Sequence, residues 1–260
     1  YLYIYIYMTN LIVIIMAGGL GKRMNSEIPK VLHYLDNKPM LIRVLETSIL
    51  LNPKKILIVV GKYRHIIEST INKYIDLTNI EFIDQPIANG TGDAVNCCRD
   101  VLLKYSNHNV LILSGDVPLV SKETMEKTIV NLKECKIVVT KVDDPNGLGR
   151  ILLHDNRFVK IIEEKDCINE EKNISLVNTG IYSFNSDILC KYLPLIKNNN
   201  SQREYYLTDV IEIIKNNEKI EIDMFEIEKN IQYEITGVNT KEQIEKLNTL
   251  FKTIKLSKNN

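Results

Sequence analysis

No CxxC pair occurs in this chain. The five cysteines (Cys97, Cys98, Cys135, Cys167 and Cys190) are odd in number and are accompanied by only four histidines. Neither a thiolate zinc cluster nor a disulfide framework is therefore expected, and a reducing, cytoplasmic setting is. A surplus of either charge is also missing, with 33 Lys and Arg against 33 Asp and Glu. Contact along a nucleic-acid backbone calls for a basic excess, so no nucleic-acid partner is expected, and any anion must be met by a local cluster of cations. The opening YLYIYIYM alternates aromatic with aliphatic residues, lacks a basic residue and is far too short for a span, so no membrane partner is expected either. Met8 reads as the natural start, and residues 1–10 as an extension without a functional part. The two commoner phosphate-loop signatures are absent as well. There is no GxxxxGK[ST], and Gly19-Leu20-Gly21-Lys22-Arg23-Met24 fails GxGxxG at its last position. Internal repeats, low-complexity linkers and a Ser/His/Asp or Cys/His arrangement for nucleophilic catalysis are missing too.

What is present is the balance of an ordinary globular chain, 45% apolar and 25% charged over 260 residues, enough for a substantial core. The stretch LIVIIMAGGLGKRMNSEIPK, residues 11–30, organises the rest. Its unbroken apolar run at 11–15 reads as a buried parallel strand. Gly18, Gly19 and Gly21 follow, where bare backbone N–H groups can approach a phosphate, and then come Lys22, Arg23 and Lys30. Taken alone, such a turn is equally a surface loop with solvated cations.

Further strands are expected at 55–60, 80–83, 110–113 and 136–142, and helices at 39–51, 63–75, 90–105 and 121–132. This alternation predicts an α/β fold, a Rossmann-like, mostly parallel sheet with helices on both faces. Shorter strands at 150–153, 158–162 and 176–184 predict a smaller mixed β region laid beside it. A helix at 204–215, a strand at 220–225 and a closing helix at 241–251 complete the chain, with 256–260 as a frayed tail of a domain spanning 11–255. Ligands of such sheets sit at the carboxyl ends of the strands, where both the glycine loop and Asp116 fall. A carboxylate there is costly unless it is paired or binds a cation. Gln85 offers a donor and an acceptor, and Gly90-Thr91 opens a helix beside it.

Eight pieces stand in order: AGGLGKRMNSEIPKVLH, QPIANGTGDA, SGDVPL, DDPNGLGRI, IIEEKD, VNTGIYSF, NNNSQREYYLTD and TGVN. Together they resemble the sugar-nucleotidyltransferases, most closely the uridyltransferase part of the bacterial bifunctional enzymes that make UDP-N-acetylglucosamine, over residues 11 to about 250. The resemblance implies attack of a sugar-1-phosphate oxygen on the α-phosphorus of UTP, with Mg²⁺ as cofactor and these two substrates as partners. It implies Arg23 and Lys30 as the triphosphate-binding, catalytic cations, with Gly18, Gly19 and Gly21 cradling the same group and Lys22 peripheral. It gives base selection to Gln85, Gly90 and Thr91, and the metal to Asp116 and Asn239. From the sequence alone, Asn239 reads as a turn or cap residue, a role Thr240 could also fill. The sugar falls to Gly149, Glu163, Lys165, Asn178 and Thr208, with Glu163 and Lys165 sharing a strand face at i, i+2. Tyr205 and Tyr206 read either as pocket walls or as core. Two residues depart from the pattern: Gly18 stands where alanine is frequent, and Arg203 where a small residue is usual. No hexapeptide repeat follows, so only the uridyltransferase half is expected here, with the oligomeric state open. Rival readings are a related enzyme joining glucose-1-phosphate with UTP or dTTP, and a silent, nucleotide-sugar-sensing subunit.

Overall fold

The computed structural model describes residues 10–19 and 21–258, with the side chain of Lys22 among those left out. The expected extension at 1–7, Met8 and the side chain of Lys22 therefore lie outside what is described. In chain order the strands are β1 (Leu11–Met16), β2 (Tyr34–Leu35), β3 (Lys38–Pro39), β4 (Lys55–Val60), β5 (Ile80–Asp84), β6 (Asn109–Ser114) and β7 (Cys135–Lys141). Then come β8 (Arg150–His154), β9 (Arg157–Ile162), β10 (Leu176–Asn185) and β11 (Asp223–Ile227). The helices are α1 (Met40–Ile49), α2 (Arg64–Ile71), α3 (Thr91–Asn96), α4 (Arg99–Leu102), α5 (Lys122–Ile129), α6 (Ser186–Tyr192), α7 (Leu207–Glu218) and α8 (Lys241–Lys258).

One sheet runs through the molecule in the order β11-β7-β10-β6-β1-β4-β5. β1 pairs in parallel with β4 and β6, β4 with β5, and β11 with β7, while β10 runs antiparallel to both β6 and β7. The odd residues of β1 (Leu11, Val13, Ile15) face one core layer with α1, α2 and α5. The even ones (Ile12, Ile14) face the other, with α3, α4, α6 and α7. Burial on both faces is why this strand shows no polar alternation. A third, smaller core of Met24, Leu35, Met40, Val238, Ile244 and Leu247 fastens the end of the glycine loop to the β2–β3 hairpin and α8.

The smaller β region lies beside the parallel strands as a branch of the same sheet. It is the β8–β9 hairpin, joined to the main sheet through the pairing of Arg150 with Val177 of β10. A bulge between Asn178 and Tyr182 splits β10, whose first half meets β8 and whose second half meets β6.

Other differences have local causes. The helix expected at 204 begins at Leu207, because residues 204–206 run against the 89–92 loop, with Tyr205 N donating to Asn89 O (2.7 Å) and Gly92 N to Tyr205 O (2.7 Å). The helix expected at 90–105 is two short helices separated at Cys97 and Cys98. The expected tail at 256–260 is helical to Lys258. The turns before it are held by Asn248 Oδ1, which accepts from Asp36 N at 2.7 Å, by Lys255 on Asp36, and by Arg43 stacked 4.7 Å from the Phe251 ring. Among the described residues no helix is long and apolar enough to cross a membrane.

Candidate active site

The glycine loop leaves β1 between two neighbours that pin it: Ala17 N donates to Val59 O (2.8 Å) and Gly115 N to Met16 O (3.0 Å). Gly18 then passes close to the backbone of Val60 and Gly61, where a Cβ would come within 3.3 Å of each. Alanine at that place, the usual residue of the resemblance, would be a tight fit here. Gly21 has φ of 58°, and a Cβ on it would lie 2.8 Å from Lys30 Cβ, so both the dihedral and the space demand glycine. The turn Lys22–Met24 follows, closed by Met24 N donating to Gly21 O (2.8 Å) and anchored by Met24 in the third core. Arg23 is left exposed at the rim of the cavity described below.

Lys30, Asp116 and Asn239 come from three distant parts of the chain and meet. The Lys30 ammonium donates to Asp116 Oδ2 and to Asn239 Oδ1, the latter at 3.1 Å. Ser114 Oγ donates to the other Asp116 oxygen at 2.6 Å. Val238 N donates to Asp116 O (3.0 Å), which draws the start of α8 toward the end of β6. Thr240 and Gln243 form a reciprocal cap: Gln243 N donates to Thr240 Oγ1 (3.3 Å), and Gln243 Oε1 accepts from Thr240 N (3.2 Å) and Asn239 N (2.6 Å). The cap belongs to Thr240, which leaves the Asn239 amide oxygen turned to the cation.

That arrangement also tests whether a metal fits. Two protein oxygens, one carboxylate and one amide, already converge on a cation, here an ammonium. Mg²⁺ takes one or two protein oxygens and completes its shell with phosphate oxygens and water, so the donor set suits it when phosphates are supplied. Among the described residues no group of three His, Cys, Asp or Glu side chains is placed to hold a metal by itself.

From this corner a cavity of about 620 Å³ extends past Gly18, Gly19 and Arg23 to Gln85, Gly90 and Thr91. Gln85 is 7% exposed, and its Nε2 donates to Gly90 O (3.1 Å) and to Asp93 Oδ2 (2.8 Å). Gly90 has φ of 109°, and a Cβ on it would strike Tyr205 O at 2.5 Å. Thr91 Oγ1 accepts from Leu207 N (3.0 Å), so this hydroxyl ties the 89–92 loop to the first turn of α7. Gln202 and Glu204 also line the cavity, which the sequence reading missed although both stand in the segment NNNSQREYYLTD. Arg203 between them has φ of 55°, a left-handed conformation that glycine, without a Cβ, would adopt at no cost. Tyr206 is buried, Tyr205 packs on the core layer of α3, α4, α6 and α7, and neither lines this cavity.

Four of the five expected sugar residues form one cluster around the β8–β10 junction. Thr208 Oγ1 donates to Glu163 Oε1 (2.9 Å), Asn178 N donates to Gly149 O (2.8 Å), and a Cβ on Gly149 would meet Asn178 Cβ and Glu163 Oε2, each at 3.5 Å. The Asn178 amide is held by Tyr182 OH, accepting from Nδ2 at 2.6 Å, and by Gly180 N, donating to Oδ1 at 3.3 Å. Burial pushes the Glu163 carboxyl upward, opposed by the Thr208 hydroxyl and reinforced by the charges of Asp166 and Glu204. Asp209, next to Thr208, is raised to about 6 by burial and then by the charges of Glu163, Glu212 and Asp166. Arg150 is fully buried beneath the cluster, paired with Glu164 (2.7 Å) and donating to Leu148 O and Lys172 O. The shared strand face of Glu163 and Lys165 does not exist. β9 ends at Ile162, Lys165 lies in the 3₁₀ turn Glu164–Asp166, and its side chain is exposed.

The profile of the nucleotidyl transferase family matches residues 12–230. A protein named probable UDP-N-acetylglucosamine pyrophosphorylase, from Acanthamoeba polyphaga mimivirus, is 44% identical over 248 residues, covering 93% of this chain and 96% of that one. The bifunctional protein GlmU of Prochlorococcus marinus is 40% identical over 239 residues, which cover 90% of this chain and 51% of that one. The chain thus spans about half the length of such bifunctional relatives. A crystal structure named as a glucose-1-phosphate thymidylyltransferase from Bacillus anthracis superposes with a TM-score of 0.69 at 20% identity, over 92% of this chain and 94% of that one, a likeness of fold. With the matched segment carrying the glycine loop, Asp116 and the Glu163 cluster on one continuous sheet, the chain belongs to the nucleotidyl transferase family.

Proposed function

We propose that this chain transfers the uridylyl group of UTP to N-acetylglucosamine 1-phosphate, releasing pyrophosphate and forming UDP-N-acetylglucosamine, with Mg²⁺ and in the cytoplasm. The observation that carries the reading is the convergence of Lys30, Asp116 and Asn239 beside the glycine loop, at one end of a cavity whose other wall is Gln85. The choice of sugar and base follows the name of the mimivirus relative and the arrangement of Gly149, Glu163, Asn178 and Thr208.

An oxygen of the sugar phosphate forms a bond to the α-phosphorus while the bond to the bridging oxygen of the β-phosphate breaks, and the electron pair leaves with pyrophosphate. The nucleophile is already an anion, so no general base is required. What the chain must do is hold two mutually repelling phosphates in line and neutralise charge as it builds on the leaving group. Arg23 and Lys30 supply that positive charge, with Gly18, Gly19 and Gly21 admitting the phosphates to backbone N–H groups. Asp116 and Asn239 would hold the metal, which neutralises phosphate charge when bound. Gln85, Gly90 and Thr91 seat the base. Glu163 accepts from sugar hydroxyls, and Asn178 and Gly149 border the same subsite, with Lys165 at its exposed edge.

Incubation with UTP, N-acetylglucosamine 1-phosphate and Mg²⁺ should yield UDP-N-acetylglucosamine and pyrophosphate, identified by mass spectrometry. Asp116→Ala should abolish that yield while leaving the circular dichroism spectrum intact. Mg²⁺-dependent product from the variant would sink the metal assignment.

A further inference from the structure

An amide side chain in a base-binding wall reads its ligand correctly only if it cannot turn over. Gln85 has two amide hydrogens, and both are engaged by the protein: Nε2 donates to Gly90 O at 3.1 Å and to Asp93 Oδ2 at 2.8 Å. Among the described residues nothing donates to Oε1, which lies on the side of the glycine loop, 3.4 Å from where a Cβ of Gly18 would be. The residue is 7% exposed and its Nε2 faces protein acceptors on both hydrogens. A half-turn would set Oε1 against the Asp93 carboxylate and the Gly90 carbonyl, replacing two hydrogen bonds with two acceptor–acceptor contacts.

We propose that Asp93 is a specificity-determining residue: its carboxylate fixes the Gln85 amide with the oxygen toward the ligand, so that the site takes a base presenting a ring N–H and rejects one presenting a bare ring nitrogen. Uracil and thymine carry that hydrogen at N3, and cytosine carries a lone pair there. This inference rests on the reading of Gln85 as the base contact. Asp93 acts through Gln85 and is a positioning residue. Of the two groups that hold the amide, the charged one forms the stronger hydrogen bond, and only the side chain can be removed by mutation. A merely structural role is also available to it, since Asp93 stands in the first turn of α3, where a carboxylate favours the helix. That role affects all nucleotides alike.

The test is pyrophosphate release by the full chain with UTP and with CTP, each with the same sugar-1-phosphate, in the wild type, Asp93→Ala, Asp93→Asn and Gln85→Ala. Both nucleotides are assayed on one preparation, so the ratio of their kcat/KM values is independent of the active fraction. Loss of a hydrogen bond to a charged group predicts that Asp93→Ala lowers the UTP-to-CTP ratio by about tenfold or more. Asp93→Asn keeps an acceptor oxygen but adds a donor that can serve a reversed amide, so it should restore the ratio only in part. If Asp93→Ala yields no folded protein, Asp93→Lys, which sets a donor against the amide hydrogens, must lower the ratio in its place. A ratio unchanged in the Asp93 variant while Gln85→Ala loses it overturns the proposal and leaves the base contact standing. A ratio unchanged in Gln85→Ala removes the base contact itself, and the proposal with it.

Discussion

Gly21→Ala separates the backbone's role from that of the cations, because its effect can be worked from two numbers. The residue sits at φ of 58°, where a side chain costs about 1–2 kcal/mol. For a chain of this size about 2–4 °C is lost per kcal/mol, so Tm should fall by roughly 2–8 °C. The second number is the 2.8 Å between the new Cβ and Lys30 Cβ, a separation that the near end of a side chain cannot tolerate. Lys30 must therefore move, and its ammonium is the group bonded to both Asp116 and Asn239. A displacement approaching 1 Å in a positioning group costs on the order of a hundredfold in turnover. Gly21→Asn provides the control: asparagine tolerates the left-handed region better, so Tm should recover in part, while its Cβ meets Lys30 just as the alanine does and turnover should stay low. Thermal melts followed by pyrophosphate release on both variants make the measurement. Wild-type turnover in Gly21→Ala would refute the dependence of Lys30 on the loop.

The remaining expectations concern the other side of the cavity. Arg203→Gly relieves a left-handed conformation of about 1–2 kcal/mol against a loss of about 0.5–1 kcal/mol in chain entropy, so Tm should rise by a degree or two in a melt. Thr208→Val removes the hydroxyl that donates to Glu163, and KM for the sugar phosphate should rise about tenfold with KM for UTP unchanged, as initial rates will show. Asp209 binds its proton more tightly in the folded chain than in the unfolded one, moving from 3.8 to about 6. Its contribution to stability is therefore fully present below the lower value and lost as pH rises through the upper one. Asp209→Asn should flatten that decline in melts taken across this window, and an unchanged pH profile would contradict the assignment.

Much of the sheet was legible because burial on both faces removes polar alternation: β1, β4 and β6 announce themselves as LIVII, KILIVV and VLIL. Which strand lies beside which is another matter. That β8 and β9 branch from β10 depends on a bulge at Asn178–Tyr182, and nothing in VNTGIYSF marks it. The helix α6 was missed although Asn185 caps it by accepting from Asp187 N and Ile188 N, because the chain enters it straight from a strand. The helix α8 is held at Asn248 and Phe251 from Asp36 and Arg43, some two hundred residues away, contacts that no local pattern marks. The site divides the same way. Lys30, Asp116 and Asn239 were each visible as chemical types, and their meeting rests on long-range contacts, the backbone bond from Val238 to Asp116 and the third core that holds Met24 against α8. Lys165 was misplaced by carrying strand geometry three residues past Ile162, where β9 ends. Asp93 was overlooked because its partner is an amide across a loop turn, whose orientation no sequence reveals.

The most direct measurement is pyrophosphate release by the purified chain across UTP, dTTP and CTP, each paired with N-acetylglucosamine 1-phosphate and with glucose 1-phosphate in the presence of Mg²⁺. The highest kcat/KM is expected for UTP with N-acetylglucosamine 1-phosphate. Greater turnover of dTTP or UTP with glucose 1-phosphate, or no release with any pair, would contradict it.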